Sequence, residues 1–210
     1  MIRYLLKIPR STYLLISILL FVFINPLIVE SKYHQFANIF SYSIIFFSTN
    51  FAIKNRTIFI KSLLYIGIFL QFVLLFSEDS TFILLGFIFS GIVFTIVTTL
   101  LILQIARTKD INLEIIIEAV SGYLLIGIVA TILNSILLLF NSEAISFNNS
   151  QDIGDTIYFS FVTLTTIGYG EILPISPMAR NISLITGITG QLYLTIIIAV
   201  IVGKVSSTKK

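Results

Sequence analysis

The chain has no cysteine and no tryptophan, a single histidine, and only 11% charged residues. Without cysteine there is no disulfide, no thiolate metal site and no cysteine nucleophile; the compartment stays open, because helices packing in lipid need no covalent staple. The lone histidine, His34, has no catalytic partner nearby in sequence and reads as a surface residue of a short loop. No phosphate-binding glycine loop opens a polar helix either, so no enzymatic constellation is present and the chain reads as a non-enzyme. The scarcity of charge is the most telling lack. At 57% hydrophobic and a mean hydropathy of +1.04, the 210 residues fall outside the range of soluble globular domains, and the bilayer is their solvent. The formal charge of +3 does not signal nucleic acid, because the basic residues sit between apolar runs and form no patch with interleaved aromatics.

A helix crossing about 30 Å of hydrocarbon needs about 20 mostly apolar residues. Six runs approach that length, at 13–29, 35–53, 57–76, 81–105, 115–140 and 182–202. The expected fold is therefore all-α and polytopic, with six transmembrane helices. Between the fifth and sixth runs, residues 141–177 are too polar to span.

Orientation follows from lysine and arginine, which accumulate in short cytoplasmic loops. Placing both termini inside makes Arg3, Lys7, Arg10, Lys54, Arg56, Lys61, Arg107, Lys109, Lys204, Lys209 and Lys210 cytoplasmic and leaves only Lys32 and Arg180 outside. Glu30, Glu78, Asp79, Glu143, Asp152, Asp155 and Glu171 then fall outside. The expected location is a plasma or inner membrane. The first run is long for a secretory leader and no clean small-residue cleavage site follows it, so it is expected to be retained.

Irregular backbone at membrane depth is tolerated only where protein buries it or where it lines a water-filled path. The segment before the sixth run reads as Asp152 and Asp155 at a helix start, a short apolar helix over 156–164, then Thr165-Thr166-Ile167-Gly168-Tyr169-Gly170-Glu171. Glycine at 168 and 170 permits φ above zero at alternate residues, which turns successive carbonyls toward one side. Thr-Thr-Ile-Gly-Tyr-Gly between two membrane helices resembles the pore signature of tetrameric potassium channels, over roughly the last hundred residues. It looks like a prokaryotic-type six-helix subunit without a charged sensor.

That resemblance implies a selectivity filter in which the carbonyls of Thr166, Ile167, Gly168 and Tyr169, with the Thr166 hydroxyl, replace the hydration shell of K+, while Gly170 completes the turn and Thr165 supports it. Rings of oxygens built from one loop per chain need four copies, hence a homotetramer in the lipid bilayer. Tyr169 is expected to point off the axis and brace the strand against the pore helix. Relatives carry cysteine at the Thr166 position when weakly selective and an acidic residue at the Tyr169 position when nonselective, so both residues here imply potassium selectivity. No cofactor is implied beyond K+ as permeant ion.

Around the filter, Asp155 complements the pore-helix dipole, and Glu171 at the outer mouth concentrates cations. Tyr158, eight residues before Thr166, stands where relatives often hold tryptophan. It either bonds Glu171 as a strut behind the filter or packs against lipid or a neighbouring subunit. Gly187 and Gly190 in the last run admit two readings: a gating hinge, with the family hinge near Gly190, or close helix packing. Arg180 is expected to anchor the outer end of that helix. Glu114 reads as solvated at the inner interface, and Glu118 as either solvated or paired with Lys204.

The first four runs, residues 1–106, form a sensor-like domain beside a pore domain at 107–210. A voltage sensor needs several positive charges, because each supplies only about 2.3 kcal/mol per 100 mV. The fourth run has none, so steep voltage gating is not expected. The short tail after Gly203 leaves no room for a covalent gating domain, so any regulator is expected on a separate chain. The brief 107–114 connection favours each four-helix domain packing beside its own pore helices. A transporter subunit and a silent, co-assembling subunit are the other function classes; single-chain conduction distinguishes the last.

Overall fold

The computed structural model describes residues 9–28, 34–54, 57–74, 79–108, 111–147 and 152–207. Arg3, Lys7, Glu30, Lys32, Arg56, Glu78, Lys109, Lys209 and Lys210, used above for topology, lie outside them. The described chain is all-α: α1 (Thr12–Phe23), α2 (Asn25–Ile28), α3 (His34–Ala52), α4 (Ile58–Leu74), α5 (Ser80–Arg107), α6 (Leu113–Phe140), α7 (Ile153–Leu164) and α8 (Pro177–Ser207). One short antiparallel pair, β1 (Ile145–Ser146) with β2 (Leu173–Pro174), ties the two ends of the loop region together, Ile145 opposite Pro174.

Helix starts follow local chemistry. The Asp79 carboxylate accepts from Thr81 N at 2.8 Å, and Asn112 Oδ1 from Ile115 N at 3.1 Å, each satisfying a donor left open by the first turn. The last helix begins five residues earlier than its apolar run, because Pro177 suits the first helical position and the Ser176 hydroxyl accepts from Ala179 N at 3.1 Å. The first run is shorter than expected. It stops at Phe23 and resumes as the separate turn of α2, where Pro26 has no N–H to extend the ladder.

Among the described residues, α5, α6 and α8 are long and apolar enough to cross a membrane, and α1, α4 and α7 are shorter apolar helices. The 19 residues of α3 include Gln35, Asn38, Asn50 and several Ser and Thr, and that polar content lowers its hydropathy.

The α5–α6 pairing belongs to a single chain: α5 runs directly into α6 and packs along it, with Gly91 admitting Ile132. Within the chain, α1 also packs against α6. The expected 106/107 boundary falls inside the last turn of α5, and the apolar core ignores it. Leu14, Phe46, Phe94, Leu125, Ile128 and Ile157, from α1, α3, α5, α6 and α7, share one buried cluster. Phe46 and Phe94 stack with centroids 4.7 Å apart. Gln71 Nε2 donates to Ser90 Oγ at 3.0 Å, a buried polar tie between α4 and α5 of the kind that holds helices together in lipid.

Candidate functional site

The α7 helix is capped by Asp152, whose carboxylate accepts from Asp155 N at 2.8 Å. Asp155 is therefore not the cap. It sits in the first turn, where its charge complements the helix dipole. Asn134 on α6 donates to the Ser160 hydroxyl at 2.9 Å in a buried bond that fixes α7 against α6.

Beyond Leu164 the chain reverses. Thr166 N bonds Thr163 O at 3.1 Å, and Ile167 N and Gly168 N both return to Val162 O, at 3.0 and 3.3 Å. These N–H groups are consumed by the C-terminal end of α7. Left-handed φ values occur at Thr166 (+59°), Gly168 (+53°) and Gly170 (+91°), every second residue of the segment. That alternation flips every other peptide relative to an ordinary strand, so carbonyls that would point to opposite faces share one. Glycine at 168 and 170 was legible as the requirement for it. Thr166 was not: a β-branched residue rarely adopts that region, at a cost of about 1–2 kcal/mol. Its hydroxyl accepts from Gln191 Nε2 on α8 at 3.4 Å.

The base of the segment is braced by both long helices. Tyr123 on α6 donates its hydroxyl to Leu164 O at 3.2 Å. Gly190 lets α8 pass so closely that a Cβ there would lie 2.5 Å from the same Leu164 oxygen. At Gly187 the nearest approach is 3.8 Å, to Thr163 O, an ordinary contact. Of the two readings of Gly190, this geometry supplies a direct reason for close packing. Gly190→Ala is expected to cost about 1–3 kcal/mol in each subunit, because backbone rather than a flexible side chain must yield. A lowered melting temperature of the assembled protein with perturbed ion selectivity checks this; a pure hinge would alter open probability alone.

At the other end, Tyr158 and Glu171 lie side by side, and the neighbouring carboxylate pushes the phenol up to about 12. The hydroxyl thus remains a donor at neutral pH. Both residues line a cavity of about 190 Å³ beside the 166–170 segment, with Val162, Gly168 and Gly170 among its other walls. Tyr158 therefore stands beside Glu171, with 41% of its surface exposed. Tyr158→Phe and Glu171→Gln are each expected to change inactivation or potassium-dependent stability of the assembly, and the double variant to add little. Full additivity in that cycle would show the pair uncoupled. Tyr169, by contrast, is 74% exposed and Ile167 54%, so Tyr169 braces no pore helix of its own chain. Arg180 Nε donates to Pro174 O at 3.4 Å, tying the start of α8 to β2.

The charged groups around the ends of α5, α6 and α8 pair differently from expectation. Lys204 does not meet Glu118. Its ammonium donates to Ile105 O and Ala106 O, both at 2.8 Å, and to Thr108 O, capping the C-terminal carbonyls of α5. The carboxylates take Lys54, at 3.3 Å from Glu114 and 3.6 Å from Glu118. Glu118 is fully buried, so solvation does not compensate it. Gln104 completes this junction by accepting from Lys54 N at 3.0 Å and donating to Ala52 O at 3.1 Å. Tyr123, Gln191 and Gln104 carried no sequence signal beyond being polar groups in apolar runs.

Residues 126–207, from within α6 through α7 to the end of α8, match a family model described as ion channel. No curated protein matches the chain, and no solved structure does. With three helices among the described residues long and apolar enough to cross a bilayer, this is an integral membrane protein whose residues 126–207 are similar to ion channels.

Proposed function

We propose that the chain is a potassium-selective channel subunit, four identical copies of which surround a central pore that conducts K+ passively. The observation that carries this reading is the alternation of left-handed backbone at Thr166, Gly168 and Gly170 at the C-terminal end of a capped apolar helix. Such a segment offers stacked carbonyls of Thr166, Ile167, Gly168 and Tyr169 to a dehydrated ion, with the Thr166 hydroxyl as the innermost ligand. The C-terminal end of α7 directs partial negative charge below the segment, which favours a cation there.

Assembly is supported by what one chain leaves uncovered. Leu184, Ile188, Leu192 and Ile196 repeat every four residues along α8 and are 51–62% exposed, a stripe suited to other copies of the same helix around an axis. Tyr169 and Ile167 find their packing on a neighbouring subunit in the same arrangement. Topologically, α1, α3, α4, α5, α6 and α8 are the six crossings, with both termini cytoplasmic.

The four-helix unit lacks a charge carrier for voltage sensing, since α5 has no lysine or arginine before Arg107. Its mechanical link to the pore is instead Lys204 on the carbonyls that end α5. The decisive experiment is ion flux into liposomes holding only the purified chain. Potassium uptake far exceeding sodium uptake is expected, with open probability changing less than ten-fold over the physiological voltage range. Equal permeation of the two ions, or none, would overturn the assignment.

A further inference from the structure

Gln191 has no partner in the role just assigned to the filter, yet it is the one polar side chain on α8 that reaches Thr166. Its Nε2 donates to Thr166 Oγ1 at 3.4 Å, although Gln191 itself is exposed on the helix. Two features make that contact specific. The preceding residue, Gly190, is where α8 comes closest to the end of α7, against Leu164 O. Thr166 in turn holds left-handed backbone, φ +59°, which sets the direction in which its side chain leaves the segment. A threonine hydroxyl has one proton and two acceptor positions. An N–H donated into one acceptor position orients the group and leaves the other lone pair for a cation.

We infer that Gln191 is a positioning residue for the innermost cation site, holding the Thr166 hydroxyl in the orientation that presents its oxygen to the ion. This rests on the filter reading above and goes beyond it, because it places a second-helix side chain in control of one site only. The four carbonyl rings farther out do not depend on Gln191, so the discrimination of potassium from sodium that they supply is preserved without it. A divalent cation of nearly potassium's size feels any loss of an oriented oxygen more strongly than potassium does, since its electrostatic interaction is doubled. Barium is therefore the probe.

The test compares the intact protein with Gln191→Met, which keeps the side chain's length and removes the donor. Both are reconstituted in liposomes, with barium inhibition of potassium flux applied from the cytoplasmic side. One neutral hydrogen bond in each of four subunits predicts barium inhibition weakened about ten-fold. Potassium over sodium preference and the melting temperature of the assembly should be unchanged. In a Thr166→Ser background, which retains the hydroxyl, Gln191→Met should have the same effect; in a Thr166→Val background it should have none. Unaltered barium inhibition in Gln191→Met, or a lowered melting temperature with unaltered inhibition, overturns the inference while leaving the filter reading intact. Failure of the unsubstituted protein to prefer potassium would remove both, and is read separately in the same assay.

Discussion

Replacing Gly168 by alanine is expected to abolish potassium flux while the chain still inserts and folds in the membrane. Within one chain, a Cβ at 168 meets nothing within 4 Å, so the substitution is not opposed by collision there. It is opposed by the backbone, at φ +53°. A non-glycine residue in that conformation costs about 1–2 kcal/mol, and a ring of four accumulates about 4–8 kcal/mol against the aligned geometry. The cheaper outcome is for the peptide to flip, which turns a carbonyl out of its ring. The Gly168 N–H bond to Val162 O, on the same peptide as the Ile167 carbonyl, would be lost with it. Flux in liposomes, compared with the fraction of protein recovered in the membrane, checks this. Undiminished, potassium-selective flux would show that residues 166–170 are not the filter.

The second large effect is expected far from the filter. Lys54→Met removes the cation facing Glu118, which is 0% exposed, whereas the Lys54 side chain is 44% exposed. Breaking a fully buried pair costs 3–5 kcal/mol, so about 2–3 kcal/mol is expected for this half-exposed lysine, with Glu118 left as an uncompensated buried charge. Glu114, with a side chain 25% exposed, can turn to water and contributes little to the loss. Adding Glu118→Leu should recover most of the stability, because the cost lies in the stranded carboxylate rather than in the missing bridge. Thermal unfolding in detergent distinguishes the two: the double variant should melt well above Lys54→Met. Equal melting temperatures would show that the pair does not matter for stability.

The backbone of the 165–171 segment was readable because its constraints are local. Alternating glycines state where positive φ is needed, and Gly168 and Gly170 both adopt it. Asp152 as a cap follows from residue type and position in the same way. Thr166 was different. Nothing in a threonine announces left-handed backbone; it is imposed by Thr166 N closing on Thr163 O and by the return of the next two N–H groups to Val162 O. The expected brace from Tyr169 onto its own pore helix was not found, since the ring is exposed and its packing surface belongs to another copy in the proposed assembly.

What the sequence by itself determined is the solvent and the chemistry of the loop: apolar runs long enough to need lipid, almost no charge within them, and a glycine-punctuated segment between the last two. Hydropathy and backbone preference act over a few residues, so they survive without knowledge of the fold. Only the tertiary structure decided which side chains meet across the sequence. Lys54 finds Glu118 rather than leaving it to Lys204, Lys204 takes the carbonyls ending α5, Tyr123 and Gly190 converge on Leu164 O, and Gln191 reaches Thr166. In soluble proteins an apolar stripe tells which face of a helix turns inward. Helices that are apolar all round, as α5, α6 and α8 are, give no such face, and their rotation is set by packing of small residues and a few polar contacts. The partners of each polar group become visible only once that rotation is known.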